Sequence, residues 1–270
     1  YRVDSVSLLA GFDQFYGAED MPNVEVVDLG REPDTGTYDY NMFSFMHQKL
    51  NTMQEPFLSF MFTSTNHSDF HLPSAKFERY PHDLKNYYGY LNSLIYVDNA
   101  IERFIEGVKK EPWFDNTIFI FTSDHGSGNA LGNIAKGLRP DDKIVSNIEG
   151  YRIPLLIYAP KIFKPKEIDI LGSQNDIKPT IIDLLGFENS FSSMGNSLFD
   201  ESSKNRFVYT FGGDQIGLIT EDCYIMFNYK DTTNSSCKDE LKTKLEKELK
   251  AIDSFESYLL DKNRWLNIKE

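Results

Sequence analysis

The sequence predicts an α/β fold: a mostly parallel central sheet covered by helices, followed by a small C-terminal α+β subdomain. Three observations predict it. Short apolar runs recur at 57–65, 117–122 and 154–159, as in strands buried on both faces. Helical patterns lie around them, the longest from Asp83 to Lys110. After about Lys204 the texture changes to short β-rich runs separated by tight turns. The expected division is therefore 1–205 for the α/β part and 206–270 for the subdomain.

The elements follow in order. The first fifty residues are mixed, with a Pro- and Gly-marked loop around Met21 to Thr37 and a helix from Asp39 to Asn51. The run Phe57 to Thr65 reads as a buried strand that stops at the polar loop Asn66-His67-Ser68-Asp69. In the long helix, Tyr87, Leu91, Leu94, Ile101, Ile105 and Val108 fall at three-, four- and seven-residue intervals. Glu111-Pro112 ends it. A second strand, Thr117 to Thr122, runs into Ser123-Asp124-His125-Gly126, and a Gly- and Asn-rich loop follows to about Gly150. A third strand is Pro154 to Ala159. Asn175 to Leu185 reads as a helix opened by Asn175 or Asp176 and closed by Gly186. In the subdomain, Phe207–Phe211, Gly217–Thr220 and Cys223–Tyr229 read as antiparallel strands, and Asp239–Leu260 as an amphipathic helix.

Composition bounds the function. The chain has 270 residues, 40% hydrophobic and 14% aromatic, enough for a substantial core and against disorder. Acidic residues outnumber basic ones, 41 to 28, for a net charge of −13. Such a chain does not grip a nucleic-acid backbone. No apolar run is long enough to span a bilayer. The start, Tyr1-Arg2-Val3, lacks an initiator Met and reads as the later part of something longer. Cys223 and Cys237 read as two unpaired thiols, with a disulfide around the Asp231–Ser236 loop as the alternative in an oxidising compartment.

In an open parallel sheet, ligands bind beyond the carboxyl ends of the strands. Two of the five histidines stand there: His67 and His125. An adjacent carboxylate and imidazole, Asp124 and His125, suit a divalent cation. Gly126 lets the backbone turn away and leaves room for it. Read alone, the tripeptide also fits a turn in which Asp124 caps the next segment. His47 reads as helix surface, and His71 and His82 as loop residues. Asp176 and Asp183 read as capping and solvated. Two ligands are fewer than a catalytic ion needs.

Three ordered motifs then carry a resemblance. Thr117-Ile-Phe-Ile-Phe-Thr-Ser-Asp-His-Gly126 resembles the signature strand of the sulfatase and alkaline-phosphatase superfamily. Arg152-Ile-Pro-Leu-Leu-Ile-Tyr-Ala-Pro160 resembles its following strand, and Ser173 through Gly186 its next helix. Gly11-Phe-Asp-Gln-Phe-Tyr16 and Phe62-Thr-Ser-Thr-Asn-His67 are similar to the branch of lipoteichoic acid synthases and membrane phosphoglycerol transferases.

The resemblance implies an extracytoplasmic, membrane-anchored transferase. It would move a phosphoglycerol-type group from a lipid head group to a glycan or glycerol acceptor. It implies a divalent metal (manganese, zinc or magnesium) held partly by Asp124 and His125, and His67 as the catalytic and substrate-binding histidine at the phosphate. Asn129 is a second substrate-binding candidate, or a turn residue. The family's Thr nucleophile, first acidic ligand and membrane helices would precede Tyr1. The rivals are a sulfatase or phosphodiesterase hydrolase on the same fold, and a non-catalytic domain. The family loop often reads Asn-His-x-Pro-Phe, whereas here Asp69 stands before Phe70. No histidine follows His125, which counts against a phosphoethanolamine transferase.

Overall fold

A computed structural model of the chain describes residues 3–30, 36–126, 148–188, 191, 193–212 and 214–262. They form two compact units, Tyr1–Pro165 and Lys166–Glu270. The 205/206 division read from composition falls inside the second unit.

The first unit holds α1 (Val3–Leu9), α2 (Asp39–Leu50), α3 (Tyr87–Val108), β1 (Phe119–Thr122) and β2 (Leu155–Tyr158). Helix α3 starts where Asn86 Oδ1 accepts the Gly89 N–H at 3.0 Å, which satisfies one of the orphan donors of the first turn. A Cβ at Gly89 would lie 1.9 Å from the Asp83 carbonyl oxygen, so this turn needs glycine. The face of α3 that meets the core is Tyr96, Ala100, Phe104 and Val108. That stripe differs from the one expected through Leu91 and Leu94: Leu94 is exposed, and the large aromatic rings take the interior instead. Phe104 stacks on Phe43 of α2 at 5.0 Å, and Phe77 meets Tyr96 edge-on at 5.0 Å. Burying one such ring stabilises the unit by about 1.5–3 kcal/mol. Buried Glu25 accepts from Arg103 (2.8 Å) and Tyr96 (3.1 Å), which fastens the loop before α2 to α3.

Two expectations about strands are corrected. β1 and β2 pair antiparallel, with Phe119 opposite Tyr158 and Thr122 opposite Leu155. Parallel pairing needs a crossover that carries the chain back to the starting end. Here the residues just after β1 and just before β2 touch: a Cβ at Gly126 would sit 2.0 Å from the Gly150 oxygen. The chain therefore leaves and re-enters at one end. The run from Phe57 forms no strand and joins neither described sheet. Phe57 and Met61 pack on the core, while Leu58, Phe60 and Phe62 stand 69%, 73% and 63% exposed.

The second unit opens with Ser173 and Asp176 bonding reciprocally around a 3₁₀ turn that leads into α4 (Ile177–Leu184). Asp176 is buried, contrary to the solvated role expected of it. Its carboxylate accepts from Asn196 N (2.7 Å) and lies 3.6 Å from the buried Arg206 guanidinium. Asp183 takes the Ser197 hydroxyl.

A meander of β3 (Phe207–Gly212), β4 (Gln215–Thr220), β5 (Tyr224–Phe227) and β6 (Thr232–Ser235) follows, antiparallel throughout. Helix α5 (Asp239–Asp261) lays Leu241, Leu245, Leu249 and Ile252 against Ile216, Leu218 and Ile225. The spacing of four, four and three is one face of a helix. Cys223 and Cys237 form a disulfide, with Cα atoms 5.1 Å apart. The reading as free thiols is corrected: Cys223 precedes β5 and Cys237 follows its partner β6, so strand pairing brings them within bridging range.

Candidate active site

Strand β1 ends at Thr122, whose hydroxyl donates to the Pro154 carbonyl at 3.0 Å and holds the strand end to β2. Asp124 and His125 follow at once. The His125 N–H donates to Asp124 Oδ1 at 2.9 Å, so the carboxylate also serves the turn. The imidazole Nδ1 lies 2.8 Å from the Gly126 carbonyl. A carbonyl only accepts, so Nδ1 carries the proton and Nε2 keeps its lone pair in the neutral ring.

That Nε2 is 3.6 Å from Asp124 Oδ2, and both side chains are solvent-accessible. At ligand distances of ~2.0–2.2 Å, two donors so spaced subtend an angle of about 110–130° at one ion. The donor set and spacing fit one divalent cation. Among the described residues no group of three His, Cys, Asp or Glu side chains is placed to hold a metal.

His67 stands on a separate loop and is exposed. Its Nδ1 lies 2.5 Å from the Ser68 carbonyl, which leaves Nε2 for solvent or a ligand. No hydrogen bond or ion pair joins it to Asp124 or His125 among the described residues. The loop is tied down from below. The His67 N–H donates to the Ser64 carbonyl at 2.9 Å. The amides of Ser64 (3.1 Å) and Thr65 (2.9 Å) and the Thr65 hydroxyl (2.7 Å) all donate to Asp39 Oδ1. Asp39 is fully buried. Burial pushes its carboxyl up, and the Thr65 and Ser64 hydrogen bonds offset this only in part.

Asp69, the acidic departure in the loop, lies 3.7 Å from Lys85 Nζ. Its charge thus has a cationic neighbour. Phe70 packs on Tyr90 at 5.6 Å.

The remaining candidates fall elsewhere. Asn129 lies outside the described residues. His47 is not a surface residue: its ring is partly buried, 2.6 Å from Glu111 Oε1, and packs close to Gly107. That contact holds the Glu111 carboxyl below its usual range. His71 remains a loop residue. Sequence reasoning passed over Asp39, Thr65 and Lys85. An acidic residue at a helix start is so ordinary that only the bond to a loop 26 positions away distinguishes Asp39.

Comparison with known proteins adds the family. The sulfatase family profile matches residues 2–187. The chain belongs to the sulfatase family. A lipoteichoic acid synthase-like protein, YvgJ of Bacillus subtilis, is 26% identical over 250 residues, covering 83% of this chain and 39% of the relative. An alkaline phosphatase superfamily protein from Vibrio parahaemolyticus superposes with a TM-score of 0.73 at 23% identity, over 94% of this chain and 61% of that one. The lipoteichoic acid synthase LtaP from Listeria monocytogenes gives 0.67 at 22%, over 95% and 66%. These likenesses show an alkaline phosphatase/sulfatase-like fold. The chain spans about two-fifths of the length of the curated relatives it matches first. Among the described residues no helix of this sulfatase-family chain is long and apolar enough to cross a membrane.

Proposed function

We propose that this sulfatase-family chain serves a metal-dependent phosphoglycerol-type transferase. It acts outside the cytoplasm on lipid-derived head groups, with a glycan or glycerol hydroxyl as acceptor, and is held at the membrane by segments beyond these 270 residues. The observation that carries the reading is the Asp124–His125 pair, with an imidazole lone pair and a carboxylate oxygen 3.6 Å apart at a strand end. Its lipoteichoic acid synthase relatives supply the substrate class.

Asp124 and His125 would hold half of a divalent-cation site. Bound there, the ion supplies charge to a phosphoryl oxygen and lowers the pKa of a nucleophile. His67 offers Nε2 to a phosphoryl oxygen. Because Nδ1 is already committed to Ser68, donation from Nε2 requires a ring protonated on both nitrogens. Asp69, beside Lys85, leaves the anion less repelled than its sequence position suggests. Asn129 is a second hydrogen-bonding group for substrate. The nucleophile and the other cation ligands lie outside these residues, so the chain alone is expected to be inactive.

A hydrolase is the second reading, favoured by the family profile itself. Phosphodiester or sulfate-ester cleavage without an added acceptor would select it.

Manganese binding to the 270-residue chain, followed by the loss of the free-ion EPR signal, tests the site. Asp124→Ala and His125→Ala are expected to abolish binding, and no turnover of bis(4-nitrophenyl) phosphate is expected. Equal binding by all three proteins would remove the cation site. Turnover lost in Asp124→Ala would place the nucleophile within this chain.

A further inference from the structure

We infer that Asp39 is the positioning residue for His67, acting through Thr65 and Ser64. This rests on the reading of His67 as the phosphate contact. Helix α2 begins without a side-chain cap from Tyr38. Its Asp39 N–H donates instead to Thr65 Oγ1 at 3.1 Å, while the same hydroxyl donates to Asp39 Oδ1 at 2.7 Å. The helix start and the loop therefore cap one another across 26 residues of sequence. Two loop amides reach the same carboxylate oxygen, Ser64 N at 3.1 Å and Thr65 N at 2.9 Å. The Ser64 carbonyl then receives the His67 N–H at 2.9 Å.

Every link from the helix to the histidine is thus a hydrogen bond of ordinary length, and three of them, from the Thr65 hydroxyl and the Ser64 and Thr65 amides, end on Asp39 Oδ1. The anchor is rigid because it is dry: Asp39 is fully buried and Thr65 nearly so. His67 itself is exposed. A solvent-facing imidazole on a short loop would otherwise sample many orientations, and a donor that must meet a phosphoryl oxygen gains from being held. Asp39 Oδ2 has no hydrogen-bond partner among the described residues. The carboxylate is thus not shared with another element through that oxygen, and its hydrogen bonds all come from this loop.

Histidine ¹H–¹³C spectra of the 270-residue chain test the inference, with His67→Gln assigning the His67 Cε1–H line and inorganic phosphate as the probe. Thr65→Val removes the hydroxyl, and Thr65→Ser restores it. In Thr65→Val the free-state His67 line should move toward that of an unstructured histidine. The phosphate concentration needed to shift it should rise about tenfold. Thr65→Ser should return both values, and the His47 line, held by Glu111, should not move. Asp39→Ala should act like Thr65→Val; if it fails to fold, the Thr65 pair decides. A His67 line unchanged in Thr65→Val would overturn the inference. If phosphate leaves the wild-type His67 line unmoved, the phosphate role of His67 falls, and the free-state line still decides whether Asp39 positions it.

Discussion

Gly126→Ala is the perturbation that most directly loads the candidate site. The added Cβ would stand 2.0 Å from the Gly150 carbonyl oxygen, 2.9 Å from its carbon and 3.2 Å from the Arg152 oxygen. All three are backbone atoms, so no side chain can swing aside. The two chain segments must part by roughly 1 Å before the contact becomes tolerable. Overpacking of this kind costs about 1–3 kcal/mol. For a unit of this size that corresponds to about 3–10 °C in Tm. The strain falls on the Gly126 carbonyl, which holds His125 Nδ1. The 3.6 Å spacing between Nε2 and Asp124 Oδ2 should therefore be lost with it. Calorimetry should show the lower Tm, and the manganese titration a weaker site. An alanine variant with wild-type Tm and wild-type manganese binding would refute the close approach of the two segments.

Two further outcomes concern stability. Reducing the Cys223–Cys237 bond, which closes a loop of sequence separation 14, should cost about 3 kcal/mol of stability; thermal melts with and without reductant read it, and identical melts would speak against the bridge. The His47 contact lowers the Glu111 pKa on folding. The stability it contributes is therefore present above the ordinary glutamate range and lost as pH falls through the depressed folded value. Glu111→Gln should flatten that part of the stability–pH curve, and an unchanged curve would make the contact energetically silent.

Much of the fold was legible because its signals are local. The Lys- and Glu-rich face of α5 and the apolar positions Leu241, Leu245, Leu249 and Ile252 state their own periodicity. The strand end carrying Asp124, His125 and Gly126 was legible for the same reason. Strand direction was not. Three apolar residues and a threonine in β1 and four apolar residues in β2 are compatible with either polarity, and only the meeting of Gly126 with Gly150 decides it. The run from Phe57 misled because it is apolar at both odd and even positions, which reads as two buried faces, whereas one face is packed. The long-range partners were invisible in principle. His47 meets Glu111 across 64 positions, and Asp39 meets Thr65 across 26. Neither sits in a pattern with a period, and a polar pair of this kind leaves no composition signal. The disulfide needed the β5–β6 pairing before its two cysteines could be seen as neighbours.

The row Leu58, Phe60 and Phe62 also governs how the chain behaves in concentrated solution. Three large exposed apolar groups at alternate positions form a short-range adhesive strip. Opposing it is a net charge of −13, which keeps molecules apart over distances set by the ionic atmosphere. That atmosphere contracts from about 30 Å at 0.01 M salt to about 8 Å at 0.15 M. Colloidal stability therefore depends on a long-range repulsion that salt removes and a contact attraction that it does not. The chain keeps best in dilute buffer well above its isoelectric point, and ordinary saline brings the adhesive strips within reach of one another.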